Sequence, residues 1–185
     1  MTSILKVSEI QDPTNSNTAL TIDANGNVNI PGHVVQVVSA TKTDTLSTSS
    51  DSFVDVTGLS VNITPSSATS KIFVTVSAIG AGTINQCRLQ GRLVRDSTPI
   101  FVGDVAGSRG QASFEMYKSD GSGLDSVSVN FFDAPATTSS VTYKLQVREG
   151  NGTASSVFIN RSQTDSDDPA YNRYASTITV MEIAQ

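Results

Sequence analysis

At 185 residues, 37% of them hydrophobic, the chain is long enough for one domain with a real core plus an arm. Only 16% of residues are charged, the net charge is −5, and there is one cysteine. These values exclude an intrachain disulfide and argue against a nucleic-acid partner, because an acidic surface repels phosphate backbones. The opening MTSILKVSEIQD turns polar too soon for a signal peptide, and no apolar run is long enough to cross a bilayer. No membrane insertion is expected, and the lone cysteine fits a reducing compartment of synthesis. Val and Thr favour strands while Gly, Asn and Ser favour turns, so the composition is that of an all-β protein.

Residues 1–32 read differently from the rest. The start, residues 3–10, is extended in character, with Leu5 and Val7 on one parity and Ile4 and Ile10 on the other. A strand that is apolar on both faces needs cover on both. Leu20 and Ile22 then face Val28 and Ile30 across an Asn25-Gly26 turn, a strong hairpin signal. A lone hairpin is marginal in water, so this arm is expected to dock on something. Pro31-Gly32 marks the boundary with a domain spanning 33–185.

Beyond it, alternation predicts strands over 33–40, 43–47, 53–56, 59–64, 71–79, 85–95, 99–102, 111–117, 124–132, 141–148, 156–160 and 175–183. The cleanest is VTYKLQVR, with Val141, Tyr143, Leu145 and Val147 on one face and Thr142, Lys144, Gln146 and Arg148 on the other. Short strands separated by turn residues indicate a sandwich or barrel. No fixed repeat appears, so a solenoid is not expected. Several strands carry apolar residues on a second face: Phe73 and Ile79 oppose Ile72, Val74 and Val76, and Phe132 adjoins Phe131. Phe158 opposes Val157 and Ile159, while Met181 and Ile183 oppose Ile178 and Val180. A sandwich buries only its inner faces. Phe73, Ile79, Phe132, Phe158, Met181 and Ile183 are therefore expected at a subunit interface of a homo-oligomer. The outer row of 141–148 is wholly polar and is expected to face solvent.

Chemistry-bearing motifs are sparse. Asp23, Asn25 and Asn27 have the start of a calcium-loop spacing, but Gly26 comes at position four instead of six and Val34 fills position twelve. A plain hairpin turn fits better. Asp165, Asp167 and Asp168 cluster in the loop 164–169, which could hold a hard cation but reads more simply as a solvated acidic loop. Asn62, Asn151 and Asn160 head glycosylation-type triplets that a Ser/Thr/Asn-rich chain generates by chance. His33 is the only histidine and sits beside the boundary turn. Cys87 alternates with Leu89 as a small buried hydrophobe. With no base–nucleophile pair, no zinc set and no G-x-S-x-G elbow, no catalytic, metal or cofactor site is expected. Arg88 and Arg92 share a strand face with Gln90 and are the candidate contacts for an anionic glycan, the other reading being ordinary ion pairs.

The opening ILKVSEIQDPTNSNTALTIDANGNVNIPG resembles a leader found on structural proteins of marine tailed phages of the cyanophage type. The stretches VVQVVSATKTDTLSTSSDSFVDVTGLSVNITPSSATSKIFVTVSAIG, VTYKLQVREGNGTASSVFINRSQTD and STITVMEIAQ resemble the module that often follows it, while residues 81–135 match least. The resemblance implies a virion structural, tail-fibre-like or capsid-decorating protein. It implies an antiparallel jelly-roll β-sandwich of the trimeric tumour-necrosis-factor/complement-head type, carrying an N-terminal β-hairpin arm. The expected role is then non-enzymatic: a trimeric fibre, knob or decoration protein, made in the host cytoplasm and located on the particle surface. Leu5, Val7, Ile10, Leu20, Ile22, Val28 and Ile30 are expected to anchor the arm to a capsid, neck or tail protein. The alternative is a receptor-binding module that recognises host surface carbohydrate.

Overall fold

Strands form where the chain alternates, and two sheets close around the alternating apolar rows. A computed structural model describes the chain except residues 1–5, 12–13, 15–17, 23, 25, 27, 84–86, 119–122 and 153–154. Leu5, the Asp23/Asn25/Asn27 spacing and Thr153 of the second glycosylation-type triplet lie outside the described residues. The arm holds β1 (Glu9–Gln11), β2 (Thr18–Ile22) and β3 (Val28–Asn29), which form a small antiparallel sheet of their own. The hairpin register puts Ile22 opposite Val28, and Ile10 of β1 lies opposite Leu20. Gly26 has φ 85°, the left-handed conformation that the turn requires.

The domain holds β4 (Val34–Lys42), β5 (Leu46–Thr48), β6 (Val54–Ile63), β7 (Lys71–Gly82), β8 (Cys87–Arg95), β9 (Thr98–Ile100), β10 (Phe114–Lys118), β11 (Asp125–Asp133), β12 (Val141–Glu149), β13 (Val157–Ile159) and β14 (Ser176–Ile183). One sheet runs β4-β14-β7-β11, with β5 and β13 continuing β4 and β14 along the far end of β7. The other runs β6-β12-β8-β10, with β9 sharing the β10 edge of β8. The pairing is nested. Among the eight main strands, the first pairs with the last (β4 with β14) and the second with the seventh (β6 with β12). The third pairs with the sixth (β7 with β11) and the fourth with the fifth (β8 with β10). A long hairpin folded over on itself in this way is a jelly roll. The expected antiparallel jelly-roll sandwich with an N-terminal hairpin arm is the observed architecture.

One strand boundary differs from expectation. Segments 53–56 and 59–64 are a single strand, β6, interrupted by a bulge. Lys144 pairs with Ser60 but Gln146 pairs with Asp55, so Val56 to Leu59 all lie opposite Leu145 alone. Gly58 sits in the bulge at φ 91°. The break in alternation at Thr57-Gly58 marks a kink, not a turn.

The core is the inner rows. Val141, Tyr143, Leu145 and Val147 of β12 pack with Val56, Leu59, Val61 and Ile63 of β6 and with Ile72, Val74, Val76, Ile178 and Val180 of the facing sheet. Polar side chains close its ends. The Tyr143 hydroxyl donates to Asp133 Oδ2 at 2.6 Å, and Arg95 Nη1 donates to both Asp133 oxygens at 2.8 Å. Burial, then the hydrogen-bonded Asp133 carboxylate, push the phenol's pKa up. This contact joins β12 and β8 to the end of β11 in the facing sheet. Fully buried Asn160 donates through Nδ2 to the carbonyls of Lys42 (2.8 Å) and Asp44 (3.0 Å), and its Oδ1 accepts from Ser176 Oγ at 2.6 Å. Its φ of 64° turns the chain out of β13, and Asn tolerates that conformation better than most residues.

Glu182 is fully buried, yet it accepts from Gln36 Nε2 (2.6 Å), the Ser66 amide (2.8 Å) and Ser66 Oγ (2.6 Å). Burial pushes its pKa up, but the hydrogen bonds from Gln36, Ser66 and Ser70 together outweigh burial and hold it below the ordinary 4.5.

Two outcomes are expected. Replacing Asn160 by Ala leaves the Lys42 and Asp44 carbonyls unsatisfied and should lower unfolding stability by about 2–4 kcal/mol in urea melts. Glu182 has a depressed folded pKa, so its contribution is full above pH 4.5 and disappears as pH falls through the folded pKa. Glu182→Gln should therefore be less stable than wild type at pH 7 and show a flatter acid limb below pH 4.5. Parallel acid limbs in the two proteins would count against this assignment.

Candidate functional site

The two sheets turn unlike outer faces to the surroundings. On the β4-β14-β7-β11 sheet the odd-numbered residues of β7 point outward, and the pairing lines them up in rows. Val37, Met181, Phe73 and Phe132 form one row across all four strands. The Phe73 and Phe132 rings touch with centroids 4.7 Å apart. Phe132 is 57% exposed and Val37 55%, while Phe73 and Met181 are half-buried. Ile183 pairs with Lys71 and Val34 at one flank, and exposed Val34 and Val35 extend the patch there. On the other flank the next rows are Ser39-Thr179-Thr75-Asn130 and Thr41-Thr177-Ser77-Ser128. The three rows fill twelve positions without a charged residue, although 16% of the chain is charged. Loss of charge beside a continuous apolar row is the composition of an interface core.

The outer face of the β6-β12-β8-β10 sheet is the opposite. Lys144 and Gln146 both donate to Asp55, at 2.8 and 2.6 Å. Arg88 pairs with Glu115, and Gln90 donates to the same carboxylate at 2.8 Å. Arg92 Nε donates to Gln146 Oε1, and Arg148 Nε to Gln90 Oε1, each at 2.8 Å. Thr142 donates to Asn62 at 2.7 Å. The outer row of β12 is half-buried because its members lie flat against these neighbours.

The arm presents a third surface. Ile10, Leu20, Ile22 and Val28 share one face of its sheet by register, and Ile30 continues the parity of Val28. Ile10, Val28 and Ile30 are 45%, 46% and 42% exposed, and Leu20 and Ile22 half-buried. Val7 is exposed and lies on the other parity. The arm joins the domain at a type II turn: the His33 amide donates to the Ile30 carbonyl at 3.1 Å across Pro31 and Gly32, with Gly32 at φ 84°.

Of the expected interface residues, Phe73, Phe132, Met181 and Ile183 are brought together on one patch. Ile79 and Phe158 are placed elsewhere. Two polar rows separate Ile79 from Phe73, and Phe158 is 4% exposed with the Arg161 guanidinium 3.8 Å from its ring centroid. Phe158 is interior to the chain, and the correction has a simple cause. The segment after β13 folds back over that end of the sheet, so outward parity there does not mean exposure. Of the two glycan candidates, Arg88 is neutralised by Glu115, with Tyr117 4.5 Å from its guanidinium. Arg92 lacks a carboxylate partner among the described residues. Its guanidinium and that of Arg148 both stack on Phe53, 4.1 and 4.8 Å from the ring centroid. Burial, then the Arg148 charge, pull the Arg92 pKa down.

Sequence reasoning missed Val34, Val35 and Val37, although HVVQVV is apolar on both parities and carries the signal. It also missed Arg148 and Phe53, whose meeting depends on the strand order. The remaining candidates are engaged within the chain. His33 Nδ1 accepts from the Ile30 amide at 3.1 Å. Cys87 is buried against Ser155 and the Ser156 carbonyl, and burial pushes its thiol up. Asp165 pairs with Arg173 at 2.6 Å and Arg161 at 3.7 Å, and Asp168 caps the Ala170 amide at 2.8 Å. Among the described residues no group of three or more His, Cys, Asp or Glu converges to hold a metal ion.

No family model and no curated protein sequence matches the chain. Among solved structures, the chain is similar to infectious bursal disease virus of the Gx strain at 15% identity and a TM-score of 0.41, covering 98% of this chain and 43% of that one. A second similarity is to a mutant VP2 protein of infectious bursal disease virus from T=1 particles, at 16% identity and a TM-score of 0.38, covering 98% and 41%. The chain spans less than half the length of either.

Proposed function

We propose that this chain is a non-enzymatic structural subunit of a tailed-phage particle: a homotrimeric fibre, knob or decoration protein on the virion surface, held to a capsid, neck or tail protein by its arm. The observation that carries the proposal is the charge-free stretch in the middle of the outer face of the β4 sheet, three rows wide and bordered on one side by the apolar Val37-Met181-Phe73-Phe132 row. A monomer rarely exposes a continuous apolar row beside uncharged polar ones, because water gains little there and other chains gain much. Burying the row between copies stabilises the assembly by roughly 25 cal/mol for each Å² of apolar surface removed from water. The second support is the arm. Its small sheet shows Ile10, Val28 and Ile30 to solvent, and two or three short strands hold together poorly without a surface to cover them. Docking on a partner protein, by strand addition or by this apolar face, supplies that cover. The third support is the resemblance of the opening and of most of the domain to phage structural proteins.

Both halves of the proposal are measurable. Light scattering should give a trimer for the full chain, and the Val37→Asp/Phe132→Asp double variant should be monomeric. That variant should keep its melting temperature within about 4 °C, because both side chains are more than half exposed in the single chain. A stable wild-type monomer at micromolar concentration removes the trimer. Deletion of residues 1–32 should leave a folded domain, since β4 begins at Val34, that no longer joins the particle. Normal incorporation of the truncated chain would show that the arm is not the anchor.

A further inference from the structure

The centre of the polar face contains a charge arrangement that pairing within the chain leaves incomplete. β8 and β12 are adjacent, with Arg92 opposite Gln146 and Gln90 opposite Arg148. The two arginines are thus diagonal neighbours, and each donates its Nε to the glutamine across from it at 2.8 Å. The glutamines pass the interaction outward: Gln146 donates to Asp55 and Gln90 to Glu115. Those carboxylates already hold Lys144 and Arg88. Four charges therefore cancel in two pairs, and Arg92 and Arg148 have no carboxylate partner among the described residues of a chain whose net charge is −5. Asp51 does not supply the missing charge. Its backbone carbonyl accepts from Arg148 Nη1 at 3.3 Å, while its carboxylate accepts from Ser52.

Like charges on neighbouring strands are destabilising unless something lies between them. Here both guanidiniums are also immobilised. Phe53 stacks with the two of them, and the Nε bonds fix the plane of each fork. Neither Nη of Arg92 has a protein acceptor among the described residues, and no buried polar side-chain atom there lacks a partner. The free Arg92 N–H groups accordingly reach solvent. Gly110 closes one side. A Cβ there would stand 2.3 Å from Arg148 Nη2, so the backbone approaches the fork as closely as glycine permits.

We infer that Arg92 and Arg148, splayed on Phe53, form a binding site for one oxyanion carried on a saccharide: the carboxylate, sulfate or phosphate of an acidic sugar. A guanidinium fork matches such groups in geometry as well as charge. A single positive spot in an acidic surface suits one isolated anion and not a continuous phosphate backbone. The site stands apart from the assembly proposal, since neither arginine lies on the charge-free face. Loss of one result leaves the other intact.

The test uses the full chain and three immobilised polymers: dextran sulfate, carboxymethyl dextran and neutral dextran. Wild type should bind one or both charged polymers, more weakly as salt rises, and not the neutral one; which charged polymer binds better identifies the oxyanion. Arg92→Gln and Arg148→Gln should each weaken binding by about tenfold, the loss of one charge-assisted hydrogen bond. Arg88→Gln should leave it unchanged, because Arg88 is already paired. A second readout avoids dependence on folding of the variants: titrating wild type with the better polymer should shift the Arg92 and Arg148 Nε–H resonances and leave that of Arg95 in place. The inference is overturned by equal binding to neutral dextran, by equal losses in the Arg88 variant, or by unmoved Arg92 and Arg148 resonances. Single-stranded DNA binding as tightly as the charged dextrans at the same salt would replace the saccharide with a nucleic acid.

Discussion

A strand shows two rows of side chains, and a two-layer sandwich buries only one of them. That constraint governs this molecule more than any single contact. The inner rows have one solution, a continuous apolar core, and all eight main strands adopt it. The outer rows have several solutions, and this chain uses three. On the β6-β12-β8-β10 sheet they are tied down by charge and amide ladders. Near β13 they are covered by the chain's own return segment. Across the middle of the β4-β14-β7-β11 sheet they are left uncharged and in part apolar.

The ends of the core show the same economy of means. Buried polar groups are tolerable only when their partners are in place. Tyr143, Asp133 and Arg95 satisfy one another where β11 meets the opposite sheet. Glu182 is met by the loop between β6 and β7 and by Gln36 of β4. Asn160 spans from the end of β4 to the start of β14. Each cluster sits where chain segments far apart in sequence converge. Each therefore favours the nested strand order over alternative pairings of equally apolar strands, which the core alone distinguishes poorly.

Alternation and turn residues are local, so the sequence made them readable: the strands, the arm hairpin at Asn25-Gly26, and the outward parity of Phe73 and Phe132. Register is not local. Nothing in the residues themselves says that Met181 lies beside Phe73, or that β4 is the neighbour of β14. Ile79 and Phe158 have the same local signature as Phe73, yet two polar rows set Ile79 apart from it and Arg161 of the segment after β13 stacks on Phe158. Arg88 and Arg92 look equivalent along β8, but Glu115 on β10 reaches only the first. Arg148 has the local signature of an ordinary exposed residue, and only the pairing of β8 with β12 brings it to Gln90 and Phe53. The jelly roll itself came through resemblance, because periodicity cannot order strands. The bulge at Gly58 was visible only as a gap in the alternation, which a turn would also have produced.

The two outer faces lie on opposite sides of the sandwich, and this gives their difference a consequence. If the charge-free face closes against other copies, the polar face is directed away from the assembly axis. The arginine pair would then be displayed once per copy at the periphery, where one weak oxyanion contact becomes several at fixed spacing. Multivalent binding raises avidity by orders of magnitude without any new contact, provided that the spacing matches the ligand. A site too weak to hold a single acidic sugar could therefore hold a surface coated with them. On this view a chain poor in charge keeps the Arg92–Arg148 pair on the face that assembly leaves free.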